Sequence, residues 1–173
     1  MKKILSLSIA WMALLAIACN NVDKNLVDKM VASTPAFDST TADMGRIRTS
    51  MAELLSQITA APHSVRLNND YFDLRTRAAA IYGKVSSSME QYEDAQAKLK
   101  KLTADYNAGK ISSEEAQKEL DLLAGSLAGE KDMNARIEGV MEDVKKQFVQ
   151  MCAAANVNAD TLPKNQVTVL PAG

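Results

Sequence analysis

Few side chains in this 173-residue chain are of types and spacings that do chemistry. His63 is the only histidine, held between Pro62 and Ser64 in a connection, where a lone imidazole reads as a solvated loop residue. No cysteine or carboxylate stands at metal-ligand spacing from it. The two cysteines are Cys19 and Cys152. Nucleophilic catalysis by a Cys152–His63 pair would need the two to meet in space with the imidazole oriented, and no neighbouring residue supplies that orientation. Cys152 reads as a small apolar residue at a helix edge, or as an unpaired thiol able to link two copies or a partner in an oxidising compartment. Glu130 and Asn134 invite the reading of a buried acid site, but their spacing fits a register role better. Glycine-rich phosphate loops, paired histidines and a nucleophile elbow are absent from the sequence. With 20 basic and 21 acidic residues there is no basic surplus to meet nucleic acid. The residues therefore predict no enzyme, no cofactor and no metal site.

What the sequence does specify is helices. Hydrophobic residues make up 47% and aromatics only 5%, with seven glycines and four prolines, a balance that suits helices better than sheets. From Tyr71 to Tyr106 the residues Tyr71, Leu74, Ala78, Ile81, Val85, Ser88, Tyr92, Ala95, Leu99, Leu102 and Tyr106 alternate spacings of three and four, the signature of a coiled-coil seam. This predicts a helix over about Asn69 to Ala108, roughly 60 Å long. Gly109 suits the left-handed position past a helix end. Ser112 and Glu115 form a capping-box pattern that opens the next helix, about Ser113 to Ala155. So short a turn makes the two helices antiparallel neighbours. Folding about residue 110 or 111 sets Ser88 near residue 133, between Glu130 and Asn134, so that the polar breaks of both stripes meet in one interhelical layer that fixes alignment. The same register sets Tyr92 against Gly129, and Lys98, Lys100 and Lys101 against Glu115, Glu119 and Asp121.

Upstream, Asn21 to Ser33 reads as a short helix or a mobile tether, and the run Thr34-Pro35-Ala36-Phe37-Asp38-Ser39-Thr40 predicts a break. A further helix over Thr41 to Ala61 carries Met44, Ile47, Met51, Leu54 and Ile58, and Pro62-His63-Ser64 ends it. It is about 30 Å long, enough to cover half of the hairpin. Extra apolar residues beside the seam (Phe72, Ala79, Tyr82 and Met89 on one helix, Met133, Val140 and Val149 on the other) call for that third helix. The expected fold is all-α: an antiparallel long-helix hairpin of coiled-coil type, with a third helix forming a three-helix bundle at its base and the hairpin tip projecting. Residues 156–173 have no helical period and predict an extended or disordered tail, with Val167 to Leu170 a strand only if an edge were available.

The first 18 residues read as an export signal: Lys2 and Lys3, an apolar run from Ile4 to Ala18, and a small residue before a candidate cut. The end of that run, Leu15-Ala16-Ile17-Ala18-Cys19, resembles the lipobox of bacterial lipoproteins, with its leucine one place further from the cysteine than the family prefers. The resemblance implies that Cys19 becomes the lipidated first residue and that the chain is anchored in a bacterial envelope. Asn20 in place of an aspartate points to the outer membrane. Loss of the leader with its two lysines would leave 18 basic against 21 acidic residues. The functional expectation is a non-enzymatic, lipid-anchored protein whose hairpin is a spacer or docking arm for another envelope protein, with homodimerisation through the seam open. The alternative is a helical binding module, holdase-like or a carrier of apolar ligands, with Met44, Met51, Met89, Met133, Met141 and Met151 lining an adaptable groove.

Overall fold

A computed structural model of the chain describes residues 22–164, and within that span the side chains of all residues but 128–132. The elements in order are α1 (Lys24–Thr59), α2 (His63–Arg66), α3 (Tyr71–Asn107), α4 (Ser113–Ala154) and a 3-10 turn (Ala159–Thr161). The fold is all-α. Helices α3 and α4, of 37 and 42 residues, form the antiparallel hairpin, and α1, of 36 residues, packs against both.

The hairpin turn follows from its sequence. Gly109 takes φ 68°, the amide of Gly109 donates to the Tyr106 carbonyl and that of Lys110 to the Asp105 carbonyl, a Schellman closure of α3. The Ser112 hydroxyl accepts from the Glu115 amide at 3.2 Å, and a Glu115 carboxylate oxygen accepts from the Ser112 amide at 2.9 Å, completing the capping box of α4. At the other end of α4, Asn156 takes φ 55° and the Val157 amide reaches back to the Cys152 carbonyl at 2.8 Å. Asparagine tolerates the left-handed conformation, and here it does what Gly109 does for α3.

The register expected of the hairpin is close to that observed. Arg77 meets Gln147 and Tyr106 meets Ser113, each within three residues of a fold about residue 110 or 111. The basic run feels the facing helix at Lys98, which Glu119 attracts across the seam, but its ion pairs are made within α3. Lys98 pairs with Asp94 and Lys101 with Asp105, each one turn away on α3 itself, because an i,i+4 partner is within reach without ordering a second helix. Gly129 and Glu130 fall among the residues whose side chains are not described, so the contact expected of Gly129 with Tyr92 lies outside the described residues.

The chief correction concerns residues 34–40. The predicted break is absent, and α1 runs through Pro35 without interruption. Pro35 and Val31, the residue whose carbonyl the proline leaves without an amide, are both exposed, so the proline lies on the solvent side of α1. On the opposite face Leu26, Met30 and Phe37 are buried with Leu99, Leu102 and Tyr106 of α3 and Ala116 and Leu120 of α4. Burying three such side chains is worth about 1.5–3 kcal/mol each, against about 3 kcal/mol for an interior proline. Packing wins, and the stretch expected to be a tether is part of the bundle. The third helix therefore covers the turn half of the hairpin as well as the base, and the hairpin tip does not project.

Three packed clusters run along the axis. Nearest the turn is the Leu26–Met30–Phe37 cluster. In the middle Met44 and Ile47 of α1 meet Val85 and Tyr92 of α3 and Ile137 of α4. At the far end Met51, Leu54, Leu55 and Ile58 join Val65, Tyr71, Leu74, Ala78, Val144, Phe148 and Cys152. The 3-10 turn closes this end: Gln57 donates its amide to the Ala159 carbonyl at 3.1 Å, and Val157, Ala159 and Leu162 lie against the cluster. Residues 156–164 thus lie on the bundle, while Val167 to Leu170 lie outside the described residues.

The apolar residues assigned to the third helix divide. Tyr82, Met89 and Met133 are half-buried, with the Met89 sulfur 3.4 Å from the Arg48 guanidinium on α1. Phe72, Ala79, Val140 and Val149 are exposed. Phe72 follows buried Tyr71, and one residue along a helix turns about 100°, which carries its ring off the face that α1 covers.

Candidate functional site

The start of α1 and the hairpin turn occupy one end of the bundle. Asp23 caps α1 by accepting from the Asn25 amide, and its own amide donates to the Tyr106 hydroxyl at 2.8 Å. That hydroxyl lies 2.8 Å from the Ser113 hydroxyl as well, so one tyrosine ties the starts of α1 and α4 to the end of α3. At this end the Lys110 ammonium, hydrogen-bonded to Asp105, holds that carboxyl below its usual range, and the Ser112 amide does the same for Glu115. These are caps and surface pairs that position the turn.

The opposite end is the corner where α1, α2 and α3 meet. Pro62 starts α2 in extended backbone, and Val65 drops into the core. The Tyr71 hydroxyl donates to the Ile58 carbonyl at 2.7 Å, closing the end of α1. Burial raises the Tyr71 pKa, and the nearby Arg75 and Arg66 guanidiniums oppose the rise. Around that tyrosine two large apolar side chains face solvent: Leu67 is 67% exposed and Phe72 70%. Neither Arg66 nor Arg75 forms an ion pair among the described residues, and neither Asp70 nor Asp73 does. Asp70 stands at the N-cap of α3, yet its side chain accepts no capping hydrogen bond. Beside them is a groove of about 300 Å³ lined by Asn68, Asp70, Gln147, Gln150 and Met151. This corner was not legible as a site in the sequence. Its one signal was Phe72, an apolar residue off the seam, which reads equally well as core.

The residues singled out by chemistry do not converge. His63 is exposed at the start of α2, and Cys152 is 1% exposed in the core and makes no hydrogen bond with it. Burial pushes the Cys152 thiol above its usual pKa, which suits an inert packing residue and opposes its use as a linker between copies. Among the described residues no group of three His, Cys, Asp or Glu side chains could hold a metal ion. Ser88 is buried and Asn134 half-buried with its Oδ1 sealed from solvent, so both face inward, but no hydrogen bond joins them. The Asn134 Oδ1, the Tyr92 hydroxyl and the Ser86 hydroxyl lack hydrogen-bond partners among the described residues. The Glu130 side chain of the expected polar layer lies outside the described residues. A cleft of about 360 Å³ runs beside Asn134 between α1 and α4, with an Arg46–Glu138 ion pair of 3.2 Å at its edge. Met30, Met44 and Met51 are fully buried, so the methionines of α1 fill the core rather than line a groove. Cys19 lies outside the described residues. Among those described, no helix is long and apolar enough to cross a membrane. Comparison with protein-family models, with curated proteins and with solved structures found no match.

Proposed function

We propose that this chain is a non-enzymatic, lipid-anchored helical protein of a bacterial envelope, on the outer membrane, that acts as a spacer and presents a docking surface to another envelope protein. The anchor in this reading is a lipidated Cys19. One observation carries the proposal: the start of α1 and the exposed corner are at opposite ends of the rod. Asp23, four residues after Cys19, is fixed beside the hairpin turn, and α3 spans about 55 Å from that turn to the corner. A membrane anchor at Cys19 would hold the turn end near the lipid and set Leu67 and Phe72 far from it. The docking surface is accordingly the corner rather than the hairpin tip.

The test has two parts. Intact mass of the chain purified from its own membranes reports whether it starts at a diacylated Cys19; a chain with residues 1–18 retained refutes the anchor. A photocrosslinking residue at Phe72, with another at Leu122 on the turn half as control, reports where partners touch. Adducts from position 72 and none from 122 support docking at the corner. Adducts from 122 alone, or from neither, refute it.

A further inference from the structure

We infer that the groove between α1 and α4 is a docking site for this chain's own segment Asn165-Gln166-Val167-Thr168-Val169-Leu170, which runs along it from Gln57 to the cleft beside Asn134. The inference is independent of the docking corner and of the lipid anchor.

The groove follows from residue spacing. Helices α1 and α4 both run from the turn end to the corner and pack as parallel neighbours. Arg46 of α1 and Glu138 of α4 meet across the gap in an ion pair of 3.2 Å. Gln57 follows Arg46 by eleven residues, and Val149 follows Glu138 by eleven. Eleven residues make about three turns, so Gln57 and Val149 stand on the same helix faces as that ion pair, about 16 Å nearer the corner. The chain after α4 enters the groove at this lower end. Ala159 accepts from the Gln57 side-chain amide, and Leu162 lies against the core cluster there. Val149 is 46% exposed although its face borders α1. At the upper end is the cleft of about 360 Å³, where Ala36, Ile47 and Ala135 alternate with Ser39, Asp43 and Asn134.

Reach and chemistry choose the occupant. The last residue described is Lys164, and the six that follow it span about 20 Å when extended, enough to cover the distance from Gln57 to the cleft. Being tethered at the groove's lower end, the segment has a high effective concentration there. Residues 165–170 carry no ionisable side chain, so they enter beside the Arg46–Glu138 pair without adding an unmatched charge. Extended backbone sets Val167 and Val169 on one side, which turns two apolar residues toward Val149 and Ala135 and leaves Thr168 outward. The Asp43 and Glu138 carboxylates accept from its backbone N–H groups, and the Arg46 guanidinium donates to its carbonyls. An extended segment here needs no sheet edge, because helix side chains meet its backbone.

The test uses the full-length chain in its own membranes. A photocrosslinking residue replaces Ala135, which is exposed and lines the cleft. A control replaces Leu122, exposed on the turn half of α4. The expected result is a monomer-sized product in which peptide mass spectrometry joins position 135 to residues 165–170, with no such join from position 122. Val167→Asp/Val169→Asp, in the position-135 background, lowers the yield at least about tenfold by removing the apolar anchors. Val167→Ile/Val169→Ile keeps it, which separates loss of docking from loss of the bundle. A product joining 135 to another region of the chain or to another protein overturns the inference. So does a dimer-sized product in which the segment comes from a second copy, the absence of any product, or a yield indifferent to the aspartates. The readout is confined to the α1–α4 groove, so its failure leaves the result at Phe72 untouched, and failure at Phe72 leaves the groove untouched.

Discussion

Replacing Phe37 by alanine should release the first third of α1 while leaving the rest of the bundle closed. The buried side chains that hold the segment up to Phe37 are Leu26, Met30 and Phe37, packed against α3 and α4, with partly buried Val27 and an exposed Lys29–Gln117 hydrogen bond beside them, and the segment carries Pro35. Its apolar burial contributes roughly 5–9 kcal/mol, taking about 1.5–3 kcal/mol for each side chain. The proline subtracts about 3 kcal/mol. Cutting Phe37 to alanine removes about 3–5 kcal/mol, since the ring leaves a cavity as well as lost transfer energy. What remains is close to zero, so residues 24–36 should open locally, whereas Met44, Ile47, Met51 and Ile58 keep their own contacts. Hydrogen exchange read by mass spectrometry tests this directly. Amides of 24–36 should exchange at least a hundredfold faster, corresponding to about 3 kcal/mol, and amides of 47–58 should change little. The complementary variant Pro35→Ala should slow exchange of the same segment by up to a similar factor. Uniform acceleration of all of α1 would show that it opens as one unit, and unchanged protection of 24–36 would mean that Phe37 is not the clamp; either outcome refutes the reasoning.

Other consequences can be checked by ordinary melts and labelling. Ser112→Ala removes the capping box and should cost about 1 kcal/mol by chemical denaturation. The Glu115 carboxyl is held below its ordinary value near 4.5, chiefly by the Ser112 amide, so its contribution is complete above that value and is lost as pH falls through the folded pKa. The difference in melting temperature between the native chain and Glu115→Gln should therefore be constant near neutrality and vanish in acid. Tyr92→Phe deletes a buried hydroxyl that has no partner among the described residues, and should be neutral or stabilising by up to about 1 kcal/mol; a loss larger than that would reveal a hydrogen bond made by the hydroxyl. Cys152 should resist a thiol reagent at pH 8 in the folded chain and react fully once the chain is unfolded, because burial both shields the thiol and raises its pKa.

The hairpin was readable because its determinants are local or periodic. A glycine past a helix end, a Ser-to-Glu capping box and a three-four stripe each report directly on backbone geometry, and all three stand where the sequence puts them. The failure at residues 34–40 has the opposite cause. Proline, threonine and aspartate there speak for a break through local energetics, and the decision rests with Phe37, whose burial depends on helices 60 to 80 residues away in sequence. The corner was hidden for a related reason. An apolar residue one place off a seam can serve a third helix or solvent, and only the path of α1 decides; it covers Met89 and leaves Phe72 bare. In the sequence His63 reads as a loop residue and Cys152 as a small apolar residue at a helix edge; the structure sets His63 in solvent at the start of α2 and Cys152 in the core.

The tie between the Asp23 amide and the Tyr106 hydroxyl also has a mechanical meaning. It joins the start of α1 to the hairpin turn, so a load carried from an N-terminal anchor to the corner passes along the length of α1 rather than across it. Rows of side chains from Leu26 to Ile58 then resist sliding together, and none can be peeled away before the others. Pulled between Asp23 and Lys164 instead, the same bundle would still be loaded end to end, because α4 finishes at the corner where α1 does. A bundle strung in this way yields in shear, and its extension under force should show one abrupt rupture rather than a gradual unzipping.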